Sequence, residues 1–279
     1  MKHALSVLPL VTAVSLGLTA SARAATQTVT NLNDSGTGSL RTAITAAASG
    51  DTVVFQSGLN GTITLASVLP TISKNLTIQG PGASIITVSG ANLYRVFNIG
   101  SVVVNVSGIT IANGSVASGN GAGISSSSGG TLTISNSVIT GNTTPNSGGA
   151  IAFTGSLTIT NSVISGNHAT GSAAIFSGGN LTVDNTTFSG NTLTTTTNNY
   201  GGAITFFAAS PSTVVNISRS TFSGNQAQAG GAIYVAGNTL GTYSITNSTF
   251  AFNTATAGAG AGIWINNTTS GIVFRGGGK

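Results

Sequence analysis

The sequence contains no cysteine and no glutamate, and its only acids are Asp34, Asp51 and Asp184. Without cysteine there are no disulfides, no thiolate metal sites and no thiol nucleophiles. That suits a chain that crosses an oxidising compartment without needing covalent staples. Charged residues make up 4% of the 279, eight basic against three acidic, where an ordinary soluble domain carries about 25%. A disordered chain combines high charge with low hydrophobicity. Here 40% of the residues are hydrophobic, so the chain must fold, with uncharged polar groups covering its surface. Forty glycines without a strict every-third-residue period exclude collagen. The formal net charge of +5 rests on scattered groups that form no stripe for nucleic acid. No composition shift marks a linker, which argues for one large domain.

The first segment reads as an export signal. Lys2 opens the chain, Leu5 to Ala20 is mostly apolar, and Ala22-Arg23-Ala24 supplies small residues three and one before a cut. This is the layout of a secretory signal peptide, residues 1–24, with cleavage expected after Ala24. The apolar run of about 16 residues falls short of the roughly 20 that a transmembrane helix needs. No later run is long and apolar enough to span a bilayer as a helix. The expected location is therefore outside the cell, by export through this cleaved segment.

Internal repetition dominates what remains. Residues 131–142 read TLTISNSVITGN and 156–167 read SLTITNSVISGN. NLTVDNTTFSGN follows at 180–191, VVNISRSTFSGN at 214–225 and TYSITNSTFAFN at 242–253. The closing asparagines are Asn142, Asn167, Asn191, Asn225 and Asn253, spaced by 25, 24, 34 and 28 residues. Between them recurs a second phrase, GGAI, at 148–151, 201–204 and 230–233, with looser copies SAAI at 172–175 and GAGI at 121–124 and 260–263. Two phrases alternating on one period define a repeat architecture.

Within each repeat apolar residues alternate with small polar ones, as in Leu132 and Ile134 against Thr133 and Ser135. Period two means a strand with one face buried and one in water. One such coil cannot bury its inward face alone, whereas stacked coils can, because each strand pairs with its equivalents above and below. Coils of this length suit an all-β fold, a right-handed parallel β-helix with three short strands per turn. About eight coils over residues 51–279 would give a rod about 40 Å long at a strand spacing of about 4.8 Å. Ile139, Ile164, Phe188, Phe222 and Phe250 should stack in one interior column. The paired glycines permit close backbone approach at a corner. The closing asparagines either form a hydrogen-bonded ladder between coils or tolerate left-handed turn geometry; both roles are structural. Residues 25–50 read as an N-terminal cap. Their helix, 39–48, places Leu40, Ala43, Ile44 and Ala47 on one face, with Ser39 to start it, Gly50 to end it and Arg41 on the wet face. At the other end FRGGGK carries no cap signal: either the natural chain continues past Lys279 or the last coil frays.

The alternation of GGAI with FSGN or FAFN resembles the GGA(I/L/V) and FxxN repeats of the chlamydial polymorphic outer-membrane proteins. Phe188–Asn191, Phe222–Asn225 and Phe250–Asn253 match FxxN, while Ile139–Asn142 and Ile164–Asn167 are aliphatic variants. The stretch TVTNLNDSGTGSLRTAITAAASGDTVVF looks like the capping segment of many secreted bacterial β-helix proteins, as does NLTIQGPGASIITVSG at 75–90. The resemblance implies a right-handed parallel β-helix of the pectin-lyase-like type on an outer membrane or in the medium. In the chlamydial family such repeats form an adhesive autotransporter passenger. The present 279 residues depart from that family in holding no translocator barrel of alternating strands.

Because the same fold hosts polysaccharide lyases and hydrolases, the chemical inventory matters. Glycoside hydrolysis usually needs two carboxylates about 5–9.5 Å apart, and no two of the three aspartates share a coil or adjacent coils. A calcium-assisted lyase needs several oxygen ligands and a base. Asp184 stands alone in the repeats, where its neighbours carry Ser135, Thr160 and Ser218. His168 has no acid partner in view and reads as a solvated turn residue, while Arg95 and Arg219 read as surface groups. No catalytic residue, cofactor or metal site is expected. The sequence favours a non-catalytic adhesive or structural module whose partner is a host surface protein or glycan. The turn at 192–200, with Thr194, Thr195, Asn198 and Tyr200, is its candidate contact loop. Polysaccharide binding or degradation is the alternative. An ice-ordering threonine column, Thr133, Thr158 and Thr182, is more remote because it breaks at Asn216 and Ser244.

Overall fold

The structure, a computed structural model, describes residues 24–275 apart from 127, 173, 194–199, 208, 209, 211, 237–240 and 267–271. The expected signal peptide, except Ala24, lies outside the described residues, as do Thr194, Thr195 and Asn198 of the contact loop. From Thr26 onward the chain winds as a right-handed parallel β-solenoid of about eight turns. Every strand pairing is parallel, and each residue meets its equivalent one coil away, as in Leu132↔Leu157↔Leu181↔Val215. That register follows from the period-two pattern, because a one-residue slip would turn the buried leucines outward. Leu132, Ile134, Leu157, Ile159, Leu181 and Val183 are fully or almost fully buried, while Thr133, Thr158, Thr182, Asn216 and Ser244 share the outward column.

Among the described residues four sheets run along the rod rather than the expected three. In the order met around one coil, the first sheet has ten strands and includes Thr131–Ser135. The second has eight and includes Val138–Thr140. The third has five and includes Thr143–Thr144, and the fourth has seven and includes Ile151–Phe153. The additional sheet arises after each closing asparagine, where the chain stays extended for two to six residues before the glycine corner. Ala169, Leu193 and Ala227 form a small buried cluster of their own in its strands.

The central core is a stack of inward side chains. Ile139 and Ile164 lead into Phe188, Phe222 and Phe250 in one register column. Their rings lie nearly parallel, with centroids 4.8 Å apart for Phe188–Phe222 and for Phe222–Phe250. The ring spacing is that of the coils, so the backbone ladder sets the stacking distance.

Left-handed backbone recurs at the corners of the coils, and two of its columns flank the second sheet. The residue before each closing asparagine takes it: Gly141, Gly166, Gly190, Gly224 and finally Phe252. A second column comprises Asn136, Asn161, Asn185, Arg219 and Asn247. The turn role considered for the closing asparagines therefore belongs to a different set of residues. At the GGAI corner a Cβ on Gly202 would sit 2.1 Å from the carbonyl oxygen of Gly231, a contact that only glycine avoids.

The N-terminal end is closed by helix α1, Leu40–Ala46, which buries Leu40, Ala43 and Ile44. Ser39 caps it, its hydroxyl accepting the Thr42 N–H at 3.2 Å. The helix stops at Ala47, which is already extended, earlier than the expected end at 48. Gly50 serves the following turn at φ +93°. Strand Thr26–Val29 pairs with Thr52–Phe55 and so extends the first sheet. Arg41 is not on a wet face: its guanidinium pairs with Asp34 at 2.6 Å and donates to the carbonyls of Val68 and Ser67. A rigid fork of N–H donors can tie three segments at once, which pins the cap to the loop below it.

Candidate functional site

Each of the three carboxylates is engaged by its own surroundings. Asp34 is held by Arg41. Asp51, only 3% exposed, accepts the backbone N–H groups of Ala25 at 2.8 Å and Ala48 at 2.9 Å and the amide of Gln27 at 3.1 Å. The Ala25 and Ala48 N–H groups, more than Gln27 or the nearby Lys74 charge, hold its carboxyl below the usual carboxylate range. Asp184 accepts the Ser218 hydroxyl at 2.7 Å and pairs with Arg219. The Ser218 bond, followed by the arginine, lowers its pKa as well. Neither Asp51 nor Asp184 has the raised pKa expected of a general acid. Among the described residues no three His, Asp, Glu or Cys side chains come together to hold a metal.

The remaining polar candidates are built into the coil stack. His168 lies in the third sheet rather than in a turn, and its Nδ1 is 2.6 Å from the hydroxyl of Thr192 one coil on. Arg95 is half-buried rather than a free surface group, donating to the carbonyls of Gly121 and Asn120 at 2.8 Å; burial lowers its pKa. With Val68, Leu69, Thr71 and Asn98 it lines a shallow cleft of about 120 Å³.

The closing asparagines form a continuous ladder. The amide oxygen of Asn167 accepts both the backbone N–H and the side-chain amide of Asn142, and Asn191 does the same for Asn167. The pattern repeats from Asn191 to Asn225 and from Asn225 to Asn253. Each amide nitrogen also donates to a carbonyl of the preceding coil, as from Asn167 to Ile139 at 3.0 Å. Asn142, Asn167, Asn191 and Asn225 are fully buried. A buried amide with all its groups paired joins coil to coil, so this column carries structure, not chemistry.

Among the described residues, the outward side of the fourth sheet has a distinct character, with Ala152, Thr205 and Tyr234 themselves buried in it. Its outward column runs Asn98, Ser125, Ala152, Phe176, Thr205, Tyr234 and Trp264. Phe207, two positions beyond Thr205, also points out, is 47% exposed and lies 5.7 Å from Phe176. Tyr200, the described member of the contact loop, stacks on Tyr234 at 4.5 Å and meets Trp264 at 5.5 Å. Tyr234 lies 5.1 Å from Trp264, and its hydroxyl accepts the Asn266 amide at 3.3 Å. In the sequence every member but Asn98 is the residue directly after a GAGI, GGAI or SAAI phrase: Ser125, Ala152, Phe176, Thr205, Tyr234, Trp264. Small side chains at one end thus give way to rings at the other, and no charged side chain stands in the column.

Comparison with curated proteins and with solved structures finds no match. A family model described as right handed beta helix region matches residues 76–277, the same coils that carry the ladder and the ring column, and the chain belongs to that family.

Proposed function

We propose that this protein is an exported, non-catalytic β-helix module that works by adhesion, presenting the outside of its rod to a surface partner. The observation that carries this reading is the state of the three aspartates. Asp51 and Asp184 have both carboxylate oxygens committed to neighbouring N–H, O–H or guanidinium groups and Asp34 has one paired with Arg41, and hydrolysis or lyase chemistry needs carboxylates poised towards a substrate. A rod with an uncharged polar surface instead offers many weak contacts that add along its length. The chlamydial-type repeats and the signal-peptide layout point to the same role outside the cell.

The test is one set of binding measurements against immobilised polysaccharides and host-matrix proteins, with release of reducing ends read from the same wells. Saturable binding without release is the expected result. Release of sugar ends would overturn the reading and make Asp184 the first residue to substitute.

A further inference from the structure

The geometry points to the aromatic face of the fourth sheet as the binding site, and to a linear, uncharged glycan as its ligand. The inference rests on the reading of the chain as a binding module and gives that module a ligand class. Four successive coils each contribute a ring: Phe176, then Tyr200 and Phe207, then Tyr234, then Trp264. Tyr234 is 4% exposed and supports the outer rings, while Tyr200, Trp264 and Phe176 are half-buried and Phe207 is open. Partly exposed rings gathered in one place, rather than scattered singly, mark a contact surface.

The chemistry of the face selects among partners. It holds no charged side chain in its column, so it offers no countercharge to the carboxylates of an acidic polymer or to the phosphates of a nucleic acid. What it offers is partly exposed rings bordered by the exposed Asn266, whose amide donates to the Tyr234 hydroxyl. This combination suits a sugar, whose C–H face is apolar and whose rim of hydroxyls is polar. The spacing selects further. Coils advance by about 4.8 Å, whereas an extended peptide laid along the rod would advance about 3.3 Å per residue and turn alternate side chains away. Tyr200, Tyr234 and Trp264 pack into one ring patch and Phe176 with Phe207 into a second, so an extended glycan running along the rod can rest on both.

Trp264 is the only tryptophan in the chain, so its own fluorescence reports on the site. The full chain is titrated with β-linked hexasaccharides of glucose, mannose and N-acetylglucosamine, with a galacturonate hexamer as the charged comparison. At least one neutral hexasaccharide should shift the emission saturably and bind ten-fold or more tightly than its disaccharide. Calorimetry on Trp264→Ala should show a loss of ten-fold or more, with much of the affinity retained in Trp264→Phe. Phe207→Ala, at an open position, gives a second reading that does not depend on how well the Trp264 variant folds; it should weaken binding three-fold or more. Unchanged affinity in both alanine variants overturns the site, and a preference for the galacturonate hexamer, or no response to any neutral probe, overturns the ligand class. Reducing-end release in the same mixtures would instead overturn the non-catalytic reading, whichever way the Trp264 variants behaved.

Discussion

Asn167 takes both hydrogen-bond donors of Asn142 on its amide oxygen and gives its own amide protons to the carbonyl of Ile139 and the oxygen of Asn191. Asn167→Ala therefore strands a buried N–H on one side and a buried carbonyl on the other. Each unpaired group costs about 1–3 kcal/mol, so the variant should lose roughly 2–6 kcal/mol of stability by denaturant unfolding. The same substitution at Asn253, which is half-buried and ends the ladder, should cost less. Phe252 presents the opposite case. It occupies the left-handed corner that glycine fills in four earlier coils, at φ +56°, with its side chain 91% exposed. It makes no buried contact to offset the strain of that backbone, so Phe252→Gly should stabilise the protein by about 1 kcal/mol. A midpoint that fell instead would show that the exposed ring has a packing role.

At the scale of the element, the cap is held by two networks centred on acids. Asp51 joins the start of the first strand, through Ala25 and Gln27, to the end of helix α1, through Ala48. Its folded pKa lies below the ordinary carboxylate value of about 3.9. The bonds thus contribute fully above that ordinary value, and the contribution fades as pH falls from it towards and through the depressed folded pKa. Thermal midpoints followed from pH 7 to pH 2 should fall less steeply for Asp51→Asn than for the unmodified chain. The effect of Asp184→Asn on that slope should be smaller, because the partner Arg219 is largely exposed and water screens the pair. These networks were the part of the cap that the sequence did not disclose. The helix itself was legible, because Leu40, Ala43, Ile44 and Ala47 mark one face, but nothing in the local pattern couples Asp51 to Ala25 or Arg41 to Val68. Such contacts span 26 or more residues and exist only once a coil has closed. The coils were legible for the converse reason. Each repeats the same period-two pattern and the same corner residues, so a local signal is read several times over. The fourth strand per turn escaped because two residues such as Thr143–Thr144 are too short to show any period.

For the whole molecule, parallel stacking makes stability a sum of coil terms and interfaces between nearest neighbours. The asparagine ladder and the phenylalanine column both run along the rod axis and link each coil only to the ones beside it. The aromatic face obeys the same geometry, which is why its members lie 29, 29 and 30 residues apart in sequence and yet form one continuous surface. Seen in sequence, Phe176, Thr205, Tyr234 and Trp264 share no residue type, so only the shared position after the glycine phrase ties them together. The nearest-neighbour picture makes a quantitative claim about pairs of substitutions. Asn167 and Asn191 are in direct contact, so Asn167→Ala and Asn191→Ala should couple by about 0.5–3 kcal/mol in a double-mutant cycle. Asn142 and Asn225 have two ladder positions between them, and alanine substitutions there should add to within about 0.5 kcal/mol. If the distant pair coupled as strongly as the adjacent one, the rod would be unfolding as a single unit whose coils communicate beyond their neighbours, and the ladder could not be treated as a chain of local links.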